Sequence, residues 1–174
     1  DEQAFLKGAQ ATLSGYDREH GGFGQRKKFP QPARLELLLR AHRRTGDPAF
    51  LQAVTGTLDA MAKGGIHDLL GGGFHRYTVE RRWRIPHFEK MLYDNAWLAT
   101  VYLHAWQATG EQRYADVVRS TLGWIDQEMS DPGGGFHSAT DADSPGPDGH
   151  NEEGRFFTWT PGEVRDALGP ERTP

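Results

Sequence analysis

The sequence predicts an all-α fold built as an array of helical hairpins, and three observations predict it. Apolar residues recur at helical spacing through most of the chain. A Gly-Gly-Phe run closes three loops, at Phe23, Phe74 and Phe136, each with an aspartate five or six residues before the Phe. Between these loops lies a second punctuation, Thr-Gly followed by Asp or Glu and then an aromatic, at Thr45 to Phe50 and Thr109 to Tyr114. Marks that alternate roughly every 50 to 65 residues indicate one supersecondary unit repeated along the chain.

Phe5, Leu6, Ala9 and Leu13 give a first amphipathic helix ending near Tyr16. The loop from Asp17 to Pro32 follows, then a second helix on Leu35, Leu38, Leu39 and His42, closed by Thr45-Gly46. Asp47-Pro48 is an N-cap followed by a first-turn proline, so a third helix begins there, with Phe50, Val54, Leu58 and Met61 on one face. The loop from Asp68 to Phe74 leads towards a long fourth helix. Pro86 suits its first position, and Phe88, Leu92, Ala96, Ala99 and Tyr102 mark one side. Trp97 and Val101 on the far side predict that little of this helix faces water. Tyr114, Val117, Val118, Thr121 and Ile125 give a fifth helix. Thr160-Pro161-Gly162-Glu163 is a capping box that opens a sixth, running to about Gly169. The second and fourth helices read as an inner layer, the first, third and fifth as an outer one. Short β pieces are expected only within Phe74 to Val79 and Phe156 to Trp159.

Composition bounds what such a domain does. The 174 residues read as one domain with a real core, and a net charge of −4 gives no basic surface for nucleic acid. Cysteine is absent, which excludes disulfides, thiolate metal sites and redox pairs within the chain. No apolar run approaches the roughly 20 residues of a membrane span. The chain therefore reads as soluble and cytoplasmic, with no cofactor and no metal expected.

Particular runs then carry a resemblance: GGGFHRY (Gly71–Tyr77), the W-x-I-P-H-F-E-K-M-L-Y-D-N-A run Trp83–Ala96, GGGFHSATDADS (Gly133–Ser144), EEGRFFTW (Glu152–Trp159), and GGFG with KFP (Gly21–Pro30). The pattern resembles the α/α toroid of six-hairpin glycosidases and sugar epimerases. It more closely resembles the helical domain of the thioredoxin-domain-containing family that includes spermatogenesis-associated protein 20 and bacterial YyaL-type proteins. That resemblance implies a partial toroid of about three of six hairpins. It also implies a fragment from which the thioredoxin-like domain and the remaining hairpins are missing. It implies a carbohydrate-type pocket at the long-loop end, with a small-molecule substrate, possibly a sugar, and an isolated piece that is catalytically silent. The open helix edges of half a toroid favour self-association. The competing expectation is a non-catalytic binding or scaffold module serving the redox domain.

The groups best placed to act are His75, His87, Glu89, Asp94, Asp141 and Asp143, with Tyr77, Trp83, Arg76, Lys28, Glu153 and Trp159 as candidate substrate contacts. A glycosidase needs two carboxyl groups, which Asp141 and Asp143 with Glu89 or Glu153 supply. A 2-epimerase needs an acid and a base across a carbon next to a carbonyl, a role for His75 and His87. Tyr77, Trp83, Phe74 and Trp159 are stacking candidates or core. Plainer structural readings stand beside these: His87 holding a loop, Glu89 and Lys90 paired with Arg82, Arg84 or Asp94, and Asp94-Asn95 anchoring backbone. The Arg26-Lys27-Lys28 and Arg81 to Arg84 clusters read as balancing an acidic loop rather than attracting an anion. Asp141, Asp143, Gly146 and Glu152 fall at positions 1, 3, 6 and 12 of a calcium-loop pattern. Pro145 at position 5 offers no side-chain oxygen, so a loop rimming the pocket is the reading preferred. None of the glycine loops has the GxxxxGK[ST] order of a phosphate loop.

Overall fold

The computed structural model of the chain describes residues 2–169 and Arg172. Six α-helices dominate: α1 (Glu2–Ser14), α2 (Pro32–Thr45), α3 (Pro48–Lys63), α4 (Leu92–Thr109), α5 (Gln112–Trp124) and α6 (Pro161–Leu168). Local chemistry sets most of their ends. Asp47 accepts the Ala49 N–H at the start of α3, and Thr160 with Glu163 forms the reciprocal capping box of α6. Gly46 and Gly110 end α2 and α4 in the left-handed conformation, at φ 72° and 73°. A π-helical turn, Ile125–Met129, extends α5 towards the third glycine loop.

Helices α2 and α4 pack directly on one another, while α1 and α3 pack on α2, and α5 on α4. That arrangement matches an inner pair with an outer layer. The main core joins Leu35 and Leu38 of α2, Phe50, Val54, Leu58 and Met61 of α3, and Leu98, Val101 and Tyr102 of α4. Burying such side chains stabilises the fold by roughly 1.5–3 kcal/mol each. Tyr102 is enclosed completely and donates its hydroxyl to the Leu58 carbonyl at 2.8 Å, so its polar end is satisfied.

The glycine loops gather at one end. Each is closed by a bridge to its own Phe: Tyr16 to Phe23, His67 to Phe74 and Ser130 to Phe136. Each is also tied to the next. Lys28 in the first loop pairs with Thr78 in the second, and β3 (Lys90–Met91) pairs with β4 (Ala139–Thr140) in the third. Two further antiparallel pieces complete this end: β1 (Tyr77–Thr78) with β2 (Pro86–His87), and β5 (Asp143–Pro145) with β6 (Asn151–Glu153). Phe23 and Phe74 plug the core, whereas Phe136 remains 58% exposed.

Three expectations are corrected. α4 begins at Leu92, not Pro86, because residues 86–91 are drawn into two β ladders and the Leu92 N–H goes to Ser138. Tertiary pairing therefore overrides a local proline signal. α4 also exposes Tyr93, Trp97, Leu103 and Trp106, so more of this helix faces water than expected, although Val101 is buried. Phe156 to Trp159 is no strand; Arg155–Phe157 is a 3-10 turn instead.

Candidate functional site

The loop end carries two copies of one structural device. Lys28 is fully buried, and its Nζ donates to Asp17 Oδ2 at 2.6 Å and to the Gly21 carbonyl. Lys90, 1% exposed, repeats this with Asp68 Oδ2 at 2.7 Å and the Gly72 carbonyl at 2.8 Å. Burial raises the affinity of Asp17 for a proton, but hydrogen bonds from Arg81, Lys28 and two backbone N–H groups outweigh it and hold the carboxyl below its usual range. Asp68 is held down in the same way, by Lys90 and the Gly71 and Leu70 N–H groups. These pairs fix the loops that carry the site. Asn95 adds a third clamp: its Oδ1 accepts the Phe74 N–H at 2.6 Å and its Nδ2 donates to the Phe74 carbonyl at 3.0 Å.

On this base the β1–β2 ladder sets Tyr77 opposite His87, and the two rings stack with centroids 5.0 Å apart. His87 Nδ1 lies 2.6 Å from Glu153 Oε1, brought over by β6. A neutral imidazole donating there leaves its Nε2 lone pair free to accept a proton. That Nε2 is 3.7 Å from Glu89 Oε2, which also accepts from Arg76 Nη1 at 2.7 Å. The Arg76 guanidinium is raised above its ordinary value by that bond to Glu89, and its Nε is buried with no hydrogen-bond partner among the described residues. Asp94 sits beside Arg76 and Tyr93. Burial raises its carboxyl above the usual range, with both neighbours pulling the other way. Asp143 lies directly opposite Glu153 in the β5–β6 pair, so both carboxylates project from one face.

The structure thus brings together His87, Glu89, Asp94, Arg76, Tyr77, Glu153 and Asp143. It places the other candidates elsewhere. Asp141 is exposed, and its Oδ1 takes the Asp143 N–H at 3.1 Å. Lys28 is spent on Asp17, and Trp83 is fully buried with its indole N–H on the His20 carbonyl. Trp159 lines a separate cavity of about 340 Å³ with Arg155, Phe156 and Glu163. Glu89 and Lys90 are ion-paired with Arg76 and Asp68, not with Arg82, Arg84 or Asp94. The segment from Asp141 to Glu152 forms a tight β hairpin turning at Gly146, rather than the open loop that wraps a cation.

No family model matches the chain. Spermatogenesis-associated protein 20 of Mus musculus is 47% identical over 164 residues, which are 91% of this chain and 21% of that protein. The Homo sapiens protein is 46% identical over the same shares, and an uncharacterised Caenorhabditis elegans protein is 40% identical over 98% of this chain and 24% of its own length. The chain belongs to the spermatogenesis-associated protein 20 family. It spans about a fifth of the length of the first two relatives. Among solved structures, a sugar epimerase from a ruminal bacterium superimposes with a TM-score of 0.68 at 15% identity, over 76% of this chain and 36% of that one. Cellobiose 2-epimerase from Spirochaeta thermophila follows at 0.65 and 19%, over 84% and 44%. A family 76 α-mannanase from Bacteroides thetaiotaomicron gives 0.57 and 16%, over 71% and 37%. The fold is a partial α/α toroid.

Sequence reasoning gives Phe29 no role of its own and reads Lys27 only as part of a charge-balancing cluster. Phe29 stacks on Tyr77 at 4.8 Å and Lys27 lies over the same ring at 5.0 Å, extending the aromatic ladder away from His87. Their proximity comes from the Lys28–Thr78 bridge, which no spacing within the chain reveals.

His75 sits beneath the cluster, buried, its Nδ1 on the Phe88 carbonyl at 3.0 Å. Burial first, then the charge of Lys90, pulls it down to about 4. It is therefore neutral near pH 7 and supports the Phe88 backbone rather than supplying a proton. Burial lowers His67 too. The unfolded chain binds these protons more readily, so both histidines leave stability untouched above about pH 6.5 and lower it as pH falls, for His75 down to about 4. Between pH 7 and pH 5, His75 alone is expected to withdraw on the order of 2 kcal/mol. Urea midpoints at the two pH values check this, and His75→Gln should flatten part of the difference.

Gly154 has φ 73°, and a Cβ there would run into the Phe88 ring. It follows Glu153 directly, so Gly154→Ala is expected to cost about 1–3 kcal/mol and loosen the Glu153–His87 contact. A shift of the His87 ring resonances together with a lower thermal midpoint is the expected readout.

Proposed function

We propose that this chain supplies part of a carbohydrate-active pocket of epimerase or hydrolase type, with His87 as its acid–base group. The observation that carries the reading is His87 held between two carboxylates, Glu153 at 2.6 Å and Glu89 at 3.7 Å, with Tyr77 stacked on its ring. Glu153 orients the imidazole, and Nε2 takes a proton from a carbon next to a carbonyl. Arg76 offers donors to substrate oxygens, and Tyr77 with Phe29 forms a face for the apolar side of a sugar ring. In hydrolase chemistry Asp143 and Glu153 are the two carboxyl groups. A sugar epimerase, a cellobiose 2-epimerase and a D-mannose isomerase share this fold, which supports that substrate class.

In this reading the chain is one domain over residues 1–174, of which 1, 170, 171, 173 and 174 lie outside the described residues. It is part of a longer cytoplasmic protein with a thioredoxin-like domain, and it neither binds nucleic acid nor needs a cofactor. One observation favours the second reading, a scaffold module: α4 exposes Tyr93 and Trp97 on one side and Leu103 and Trp106 on others, apolar surface for a partner domain or a second copy to cover. No helix among the described residues is long and apolar enough to cross a membrane.

The test incubates the longer protein with a panel of sugars in D2O. Deuterium entering at the carbon beside the carbonyl marks an epimerase, and new reducing ends mark a hydrolase. Neither signal across the panel would leave the scaffold reading. This chain alone is expected to give neither, because it carries only part of the pocket wall.

A further inference from the structure

Away from His87, a cavity of about 420 Å³ opens between the first glycine loop, the end of α3 and the segment before β2. Four cations line it: Arg18, Lys63, Arg82 and Arg84. All four are exposed, and among the described residues none forms an ion pair. The nearby carboxylates are already engaged. Glu19, the only acid lining the cavity, takes Arg81 at 3.0 Å and lies 3.3 Å from His20. Glu80 accepts the backbone N–H groups of Arg82, Arg84 and Ile85, so it holds the turn; the charge of Arg84 acts on it, but neither guanidinium closes an ion pair with it.

A second, independent observation concerns the backbone. Trp83, between the two arginines, has φ 64°, a left-handed conformation unfavourable for a bulky residue. The strain is held by burial of its indole against Gly22, where any Cβ would collide, and by bonds from Trp83 Nε1 to His20 and from the Ile66 N–H to the Trp83 carbonyl. Turning Trp83 inward leaves Arg82 and Arg84 both on the cavity wall. Strained residues locked by their surroundings concentrate at binding sites. Here the lock fixes two guanidinium groups on one wall.

We propose that this cavity binds a small phosphorylated molecule, its phosphate groups held by Arg82 and Arg84 with Arg18 and Lys63 at the rim. Guanidinium forks match phosphate oxygens two by two, and the enclosed volume lies in the range of small-ligand sites, roughly 300–1,000 Å³. The chain as a whole carries a net charge of −4, which steers extended polyanions away and favours a small ligand over nucleic acid.

The experiment is calorimetric titration of the chain with pyrophosphate, with inorganic phosphate and glucose as comparison probes, at low and at high salt. Pyrophosphate is expected to bind more tightly than phosphate, glucose not at all, and the affinity should fall with salt. Arg82→Gln with Arg84→Gln should weaken pyrophosphate at least about tenfold, with the thermal midpoint unchanged. If that pair disturbs folding, Arg18→Gln with Lys63→Gln provides the same readout from the rim. Amide shifts of Gly21, Gly56 and Gly64 on titration place the ligand in the cavity. Undetectable pyrophosphate binding, binding indifferent to both variant pairs, or tighter binding of a single-stranded oligonucleotide would each overturn the proposal.

Discussion

Asp17→Ala is expected to remove about 3–5 kcal/mol of stability, a large share of the roughly 5–15 kcal/mol a domain possesses. The loss does not come from one hydrogen bond. Lys28 Nζ sits in a side chain with no solvent exposure, and among the described residues Asp17 is its only ion-pair partner. Without that carboxylate the ammonium keeps a single carbonyl ligand and must either remain charged in an apolar setting or give up its proton. Both routes are costly. Asp17 also receives the Glu19 and His20 N–H groups and both nitrogens of an Arg81 fork at 2.7 Å, so the whole first loop is organised around it. Asp17→Asn separates these roles, because the amide oxygen retains the backbone bonds and loses the charge. It should fall between wild type and alanine in a urea titration. Asp17→Ala combined with Lys28→Met should recover much of the loss, since replacing both halves of a buried pair is often neutral. If the double variant is no better than the single one, the cost lies in the turn and not in the stranded cation.

The helices were legible because their determinants are local. A periodic apolar face, an Asp-Pro start and a Thr-Pro-Gly-Glu box each specify an element within a few residues, and α3 and α6 begin where those signals stand. The shared end of the three glycine loops was legible from their recurrence. What escaped was set by pairing across long separations. Lys90 reads as a first-turn helical residue until its backbone meets Thr140, and the Pro86 signal loses to that ladder. Glu153 was named as a candidate, but only the β5–β6 hairpin explains why it reaches His87, 66 residues earlier in the chain. The sequence leaves Trp83 open as a stacking platform for the apolar face of a sugar ring or as a core residue. The small size of Gly22 opens the slot that swallows it. Spacing therefore located the glycine-loop end, and long-range geometry selected which of its side chains gather there.

That selection makes His87→Gln the most telling activity test. In the longer protein, the substitution should lower turnover about 10²–10⁴-fold if His87 moves a proton, with little loss of stability because the side chain is partly exposed. Glutamine retains a donor for Glu153 and roughly the same reach, so the surrounding loops have no reason to shift. Glu153→Gln should cost less, since it weakens only the bond that orients the imidazole and leaves Nε2 in place. The pH dependence of the wild-type rate should survive in Glu153→Gln. His87→Gln should abolish it. A purely structural histidine would reverse this ordering: the thermal midpoint would fall, and whatever activity survived would retain its pH profile.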